Sequence, residues 1–469
     1  MLGLSCFLLF KRYPLRECWH DINYKPSNEN VFNNFEKVFH SLLKGRLIDL
    51  RWLILFSIFI LAVINFADKS IIGLAAIPIM DDLNLDYEQW GIVGSSFFWL
   101  FSIAGIVGAA LSDRIGTGKM LMIMAVLWTV AQSMTFFVTS LPLLLLNRVM
   151  LGVGEGPFFA TAVSHLSKWF PPESRGLAFS IINFGNTVGK AVSVPLLVFL
   201  ITTFGWRVAC VILGGISFVF VLFWLWLGRL KPPVSINEEG TVQSKIDWGQ
   251  TFKILLSPTF IFTTLIAFIG YAVITFSLVF NPTYLVQIKL VSEQTMAYIL
   301  AIVGGVGALM SVITSIISDR IYKKTQNLWK SRVLLTSICI AAAGLVFYLY
   351  TMTNSVPLMV ITLILENAFI LLLFTLCPQV VNSLLPERKG LMSGIMIGVA
   401  TTAGIIGPII FGKVIQAAGE NSAYGFNVTI QVLSVLLVTS AVLFAIFAKP
   451  PQQENTNMIQ PPKDISLNR

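Results

Sequence analysis

One length recurs along this chain. Runs of about 20 mainly apolar residues, the length a helix needs to cross the hydrocarbon core of a bilayer, appear twelve times with short breaks. They fall at approximately 51–77, 90–111, 119–138, 142–165, 176–202, 207–228, 256–284, 294–317, 332–351, 356–384, 390–412 and 423–447. Lipid offers no partner to a backbone N–H or C=O, so runs of this length predict helices that close their own hydrogen bonds. A hydrophobic fraction of 56% against 12% charged residues excludes an ordinary soluble domain. The expected class is an all-α membrane protein with the lipid bilayer as its surroundings, and not a soluble enzyme.

The formal net charge of +9 is not a nucleic-acid footprint, because the basic residues sit in connectors and form no stripe on a soluble face. Lys44, Arg46 and Arg51 precede the first run. Arg114 and Lys119, Lys168 and Arg175, Arg229 to Lys253, Arg320 to Arg332, and Arg388 with Lys389 fill alternate connectors thereafter. All of these lie on one side of the membrane. The opposite connectors are short and polar or acidic, as from Asp81 to Glu88. Positive charge marks the cytoplasmic side, so both termini are expected there, in a multi-pass protein of a cell membrane, with a bacterial inner membrane the expected one.

The remaining composition points to no metal or cofactor. Cys6, Cys18, Cys210, Cys339 and Cys377 are scattered without metal-ligand spacing, and free cysteine habitually packs as a small apolar group. His20, His40 and His165 are far apart, and His165 is expected to be an interfacial polar residue. In the first fifty residues Phe32, Phe35, Phe39, Leu42 and Leu43 recur at helical spacing, which suits an amphipathic helix on the membrane surface. No nucleotide-binding glycine loop ending in Gly-Lys-Ser/Thr is present, which disfavours ATP-driven transport.

The runs repeat as two sets of six. Leu111-Ser112-Asp113-Arg114-Ile115 returns as Ile317-Ser318-Asp319-Arg320-Ile321, 206 residues later. Pro172 and Arg175-Gly176 return as Pro386 and Lys389-Gly390, 214 residues later, and each of the helices they open carries a further proline, Pro195 or Pro408. The expected organisation is a cytoplasmic extension at 1–50, a six-helix bundle at 51–228, a linker at 229–255, a second bundle at 256–448 and a tail at 449–469. Paired halves around a site near the midplane are a transporter plan.

Ionisable residues inside the runs are functional candidates by default, because lipid penalises unpaired charge. They are Asp68, Lys69, Arg148, Glu155, Lys190 and Glu366. At about 1.5 Å per residue, Arg148 and Lys69 lie roughly 9 and 12 Å from the external ends of their helices, and Lys190 and Glu366 roughly 15–18 Å. Arg148 can bind a carboxylate through two parallel hydrogen bonds, with Lys69 as a compact point charge beside it. Glu155, seven residues after Arg148, returns to nearly the same helix face about 10 Å deeper. A carboxyl kept from water favours its neutral form and can load and release a proton; Asp68 is the second such group. Glycine clusters at Gly304-Gly305-Val306-Gly307 and Gly404 to Gly407-Pro408 suit close helix packing.

Ala109, then Asp113-Arg114-Ile115-Gly116-Thr117-Gly118-Lys119, resembles the signature between helices two and three of the major facilitator superfamily. Asp113 and Arg114, with their echo Asp319 and Arg320, are expected to form a charge latch that breaks and re-forms as the halves rock. Within that superfamily, Asn147-Arg148, Leu151-Gly152, Glu155-Gly156-Pro157-Phe158 and Ser167-Lys168-Trp169-Phe170-Pro171 resemble the anion:cation symporter family. Asn65-Phe66-Ala67-Asp68-Lys69 and Pro282-Thr283-Tyr284-Leu285 add to the likeness. The resemblance implies twelve helices in two pseudo-symmetric bundles and a monomer that carries sugar acids or other organic anions. It implies that Arg148 and Lys69 hold the substrate carboxylate while Asp68 and Glu155 carry coupling protons. Asn186, Tyr284 and Thr401 are the expected further substrate contacts. This chain departs from the family at Lys69, where arginine is usual, at Phe66, where tyrosine is common, and at Asn186 and Thr401, where glutamine and asparagine are frequent.

A proton-coupled symporter is therefore the expected function. A drug:proton antiporter on the same fold would favour closely spaced glycines ending in Gly-Pro in helix five, whereas Val194 precedes Pro195 here. A non-transporting membrane sensor would need a large soluble output segment, which the tail after Pro450 does not supply.

Overall fold

A computed structural model describes residues 50–230 and 248–451. The amphipathic segment at 32–43, Cys6, Cys18, His20, His40, most of the linker and nearly all of the tail lie outside the described residues. The chain separates into two units, Met1–Leu53 and Ile54–Arg469. Only residues 50–53 of the first are described, as the opening turn of a helix that runs on into the second. The fold and the site belong to the second unit.

The described residues are helical, without strands. Twelve helices are long and apolar enough to cross a membrane. In chain order they are α1 (Leu50–Leu74), α2 (Tyr87–Ile115), α3 (Thr117–Phe137), α4 (Leu141–Trp169), α5 (Glu173–Phe204) and α6 (Trp206–Leu227), and then α7 (Pro258–Val279), α8 (Glu293–Thr325), α9 (Trp329–Met352), α10 (Val356–Leu384), α11 (Pro386–Ala417) and α12 (Ser422–Phe447). Their outward faces carry bare apolar side chains such as Phe199, Val219, Leu309 and Val435. That inverts the soluble pattern and fits lipid contact.

Local chemistry sets the ends. Asp86 opens α2 through a capping box with Gln89, each side chain bonding the other's backbone N–H. Ser292 caps α8 by accepting from the Thr295 N–H. Gly116 at φ +96° and Gly205 at φ +82° turn the chain in one residue between α2 and α3 and between α5 and α6, a conformation that disfavours residues with a Cβ. Hydrophobic length placed all twelve spans, but α8 continues to Thr325, about two turns beyond the apolar run.

One end of the molecule is sealed. Here α2 meets α7 and α11: buried Trp90 donates from Nε1 to the Val279 carbonyl at 3.2 Å, and Ser95 Oγ donates to the Ile405 carbonyl at 2.7 Å. Gly91 and Gly412 face each other so closely that a Cβ on either would strike backbone, at Pro408 O or Tyr87 O respectively. At the opposite end, the positions where a Cβ would sit on Gly176, Gly390, Gly394 and Gly398 meet nothing within 4 Å. The described basic connector residues, Arg114, Lys119, Arg175, Arg320 and Lys389 among them, lie at this second, open end.

Candidate functional site

Helices α1, α3 and α4 assemble a polar cluster. Lys69 stands one helical turn after Asn65, so the two share a face of α1, and Lys69 Nζ donates to Asn65 Oδ1 at 2.7 Å. The same ammonium pairs with Glu155 Oε2 of α4 at 3.1 Å, and Asn65 Nδ2 donates to that oxygen at 2.9 Å. Asp68 points about 100° away around α1, toward α3, where Gln132 Nε2 donates to its Oδ1 at 2.7 Å. Asn65, Asp68, Gln132, Arg148 and Glu155 are all buried. Each carboxyl leaves one oxygen without a hydrogen-bond partner, Asp68 Oδ2 and Glu155 Oε1, and Arg148 Nε is likewise unpartnered.

The Lys69 side chain is 27% exposed because it opens onto a central cavity of about 210 Å³. That is room for a small molecule, where a single water needs only about 10–15 Å³. Its walls are mainly apolar, with the aromatic rings of Phe97, Phe98 and Phe101 of α2 and Tyr271 of α7 among them. Lys69 lies 5.6 Å from the centre of the Phe101 ring, within cation–π range. Arg148 borders only a narrow cleft of about 10 Å³, shared with Lys69, Phe97 and Phe98, beside the cavity.

Lys190 of α5 and Glu366 of α10 also line the cavity, together with Asn367. Among the described residues, no ion pair joins them to each other or to the Lys69 cluster.

The three further contacts expected from the family do not line the cavity. Tyr284 is fully buried beyond the end of α7, and its hydroxyl donates to Asn427 Oδ1 at 2.7 Å. Thr401 Oγ1 lies 3.0 Å from Ser102 Oγ, tying α11 to α2. Asn186 is half-buried on α5, one turn before Lys190, and is not part of the cavity lining.

Asp319 does not pair with Arg320. It accepts from Arg332 of α9 at 2.6 Å, within its own half, because Arg332 is buried beside Ser318 and needs an acceptor. Arg320, Asp113 and Arg114 are exposed at the open end. His165 is buried near the helix ends, with Nδ1 2.9 Å from Thr117 Oγ1 and Nε2 accepting from Trp169 Nε1 at 3.2 Å. Cys210, Cys339 and Cys377 are free and buried.

Asn65 and Gln132 are the members of the cluster to which sequence reasoning gave no role. The spacing of Asn65 from Lys69 was a usable signal, whereas Gln132 offered only its solitary polarity within an apolar run.

The sequence model of the Major Facilitator Superfamily matches residues 58–331 and 326–466. The chain belongs to that superfamily. It is thus a membrane transporter and not an enzyme, with the twelve-helix, two-bundle fold of major facilitators. Among its relatives, a hexuronate transporter of Bacillus subtilis (strain 168) is 28% identical over 412 residues, covering 86% of this chain and 97% of the relative. A D-galactonate transporter of Escherichia coli O6:H1 is 26% identical, covering 84% and 95%. A probable galactarate/D-glucarate transporter of Bacillus subtilis (strain 168) is 26% identical, covering 88% and 97%.

Solved structures share the fold. A bacterial homologue of the human lysosomal transporter Spinster, inward-facing and unoccupied, superposes with a TM-score of 0.69 at 22% identity, covering 85% of this chain and 97% of that one. A D-xylose-proton symporter gives 0.65 at 15% identity, covering 85% and 98%.

Proposed function

We propose that this major facilitator is a proton-coupled symporter that imports a small organic anion, a sugar acid or related hydroxycarboxylate, by alternating access. The observation that carries the proposal is the position of Lys69, on the cavity wall and already engaged by Glu155. Relatives named for hexuronate, galactonate and galactarate or glucarate support the substrate class.

The chemistry rests on competition for one ammonium. While Glu155 is ionised it holds Lys69. A proton on Glu155 removes that ion pair and leaves Lys69 free for the carboxylate of a substrate, which stays ionised near neutral pH because its own pKa is about 3.5. Arg148, next to Lys69 in the side cleft, supplies a second cation with a free donor. Asp68 is the second proton carrier. Proton and anion then enter together, since neither leaves the site balanced without the other.

The basic connectors mark the open end as cytoplasmic, with both termini on that side of the cell membrane and the protein acting as a monomer. Asp113, Arg114, Asp319 and Arg320 would close this end in the alternate state, for which Asp319 would exchange partners.

Uptake of galactonate into proteoliposomes tests the proposal. Wild-type uptake should rise as external pH falls, because protonation of Glu155 releases Lys69. In Glu155→Gln the uptake driven by a proton gradient should vanish and its pH dependence flatten. Arg148→Ala should lose about 10–100-fold in apparent affinity, the equivalent of a charge-assisted hydrogen bond of ~1.5–3 kcal/mol. Proton-driven uptake unchanged in Glu155→Gln would sink the coupling role.

A further inference from the structure

Lys190 and Glu366 line the cavity in membrane depth, yet no hydrogen bond or ion pair engages either among the described residues. Glu366 is only 3% exposed. A buried carboxyl and a lysine that face one space attract each other by charge yet make no hydrogen bond, an arrangement that lipid-embedded proteins avoid unless something arrives to bridge the two.

The surroundings are built around these side chains. A Cβ on Gly304 of α8 would stand 2.5 Å from Cγ and Cδ of Lys190, so the lysine stem occupies the place a larger residue would fill. One turn on, a Cβ on Gly307 would stand 2.8 Å from Asn367 Oδ1. The α8 glycines expected to serve close helix packing therefore seat two polar side chains, one from α5 and one from α10. The cavity wall beside them, Leu300, Val303 and Leu363, is apolar and offers no hydrogen bonds.

Three kinds of ligand end can be compared at this pair. A second carboxylate only accepts, so it would satisfy Lys190 while meeting the buried Glu366 with like charge. An ammonium only donates, and would satisfy Glu366 while repelling Lys190. A hydroxyl does both, accepting from Lys190 and donating to Glu366.

Resting on the organic-acid function proposed above, we propose that Lys190 and Glu366 form a second subsite for an uncharged, hydroxyl-bearing end of the substrate. The transporter then accepts polyhydroxylated monocarboxylates and rejects the matching dicarboxylates. The carboxylate goes to the Lys69 and Arg148 side, and the hydroxylated end goes to α5 and α10.

Galactonate and galactarate form a matched pair of probes, differing at one terminus by a CH2OH in place of a carboxylate. In counterflow with the full chain in proteoliposomes loaded with galactonate, unlabelled galactonate should compete at least about tenfold better than galactarate, a floor well below the roughly 10⁴-fold rejection that a hydroxyl-bonding site can reach. Glu366→Gln, which keeps shape and removes charge, should narrow that gap to within about threefold. Lys190→Gln should raise the galactonate KM about tenfold and leave Vmax close to wild type.

Equal competition by the two acids in wild type would overturn the subsite. So would a uniform fall in Vmax for both acids in the two variants with the ratio unchanged, which is the signature of a purely structural pair. Exchange of neither acid by a monodisperse wild-type preparation would remove the organic-acid function itself, and the subsite with it. Exchange of both with the wrong ratio removes the subsite alone.

Discussion

Lys69 Nζ has Asn65 Oδ1 at 2.7 Å and Glu155 Oε2 at 3.1 Å, and Asn65 in turn donates to the same Glu155 oxygen. Asn65 thus fixes how far apart the cation and the carboxylate stand. Replacing it with Leu removes a hydrogen bond that the ionised Glu155 accepts, so the proton that separates Glu155 from Lys69 is won at higher pH. The expected outcome is galactonate uptake whose pH profile moves to the alkaline side by about one pH unit, on the ~1.5 kcal/mol scale of hydrogen bonds to charged groups. A pH profile superimposable on wild type would show that Asn65 is only a helix-packing residue. Lys69, Arg148, Glu155 and Asp68 were legible in the sequence because each is an ionisable residue in an apolar run, a rare and costly event. Gln132 was not, because its partner Asp68 lies 64 residues away across a helix boundary and no local period links them. Tyr284 and Thr401 were expected as substrate contacts from the family resemblance; the structure shows their hydroxyls engaged by Asn427 and Ser102.

Helices α2 and α11 seal one end through the opposed glycines Gly91 and Gly412, and α1 approaches α7 as closely at Gly73, where a Cβ would strike Leu278 O. Overpacking such a contact costs about 1–3 kcal/mol. Gly91→Val should charge that cost to the sealed arrangement and shift the population toward the opposite opening. Ser277 lines the cavity, so in a Ser277→Cys background a membrane-impermeant maleimide added at the Tyr87 end should label several-fold faster once Gly91 is Val. No change in labelling rate would mean that the seal does not depend on this contact. The twelve spans were readable from run length alone, since bilayer thickness leaves a narrow range of choices. Which glycines meet a carbonyl was not readable, because glycine serves turns, packing and side-chain seats alike. Gly205, Gly91 and Gly304 do these three things in one chain.

The two halves share a plan but not a chemistry. The latch sequence repeats in both, yet its second copy is occupied by Arg332 while its first is exposed. The polar cluster proposed to handle protons belongs to α1, α3 and α4, whereas α10 contributes Glu366, a carboxyl that faces Lys190 without a hydrogen bond. Repetition of Ser-Asp-Arg-Ile made the duplication visible in the sequence. The division of labour became visible only when side chains from different helices were seen to meet. Asp68 and Glu155 each give one oxygen to a neighbour and keep the other buried without one, so each has a vacant position for a proton. If both load, a singly charged acid crosses with two protons, and every cycle carries one positive charge inward. Membrane voltage then becomes a driving force in its own right, worth about 2.3 kcal/mol per 100 mV, or roughly 50-fold in accumulation. A potassium diffusion potential, negative inside, imposed on proteoliposomes at equal pH should therefore drive galactonate uptake, and Asp68→Asn should make the remaining uptake indifferent to voltage.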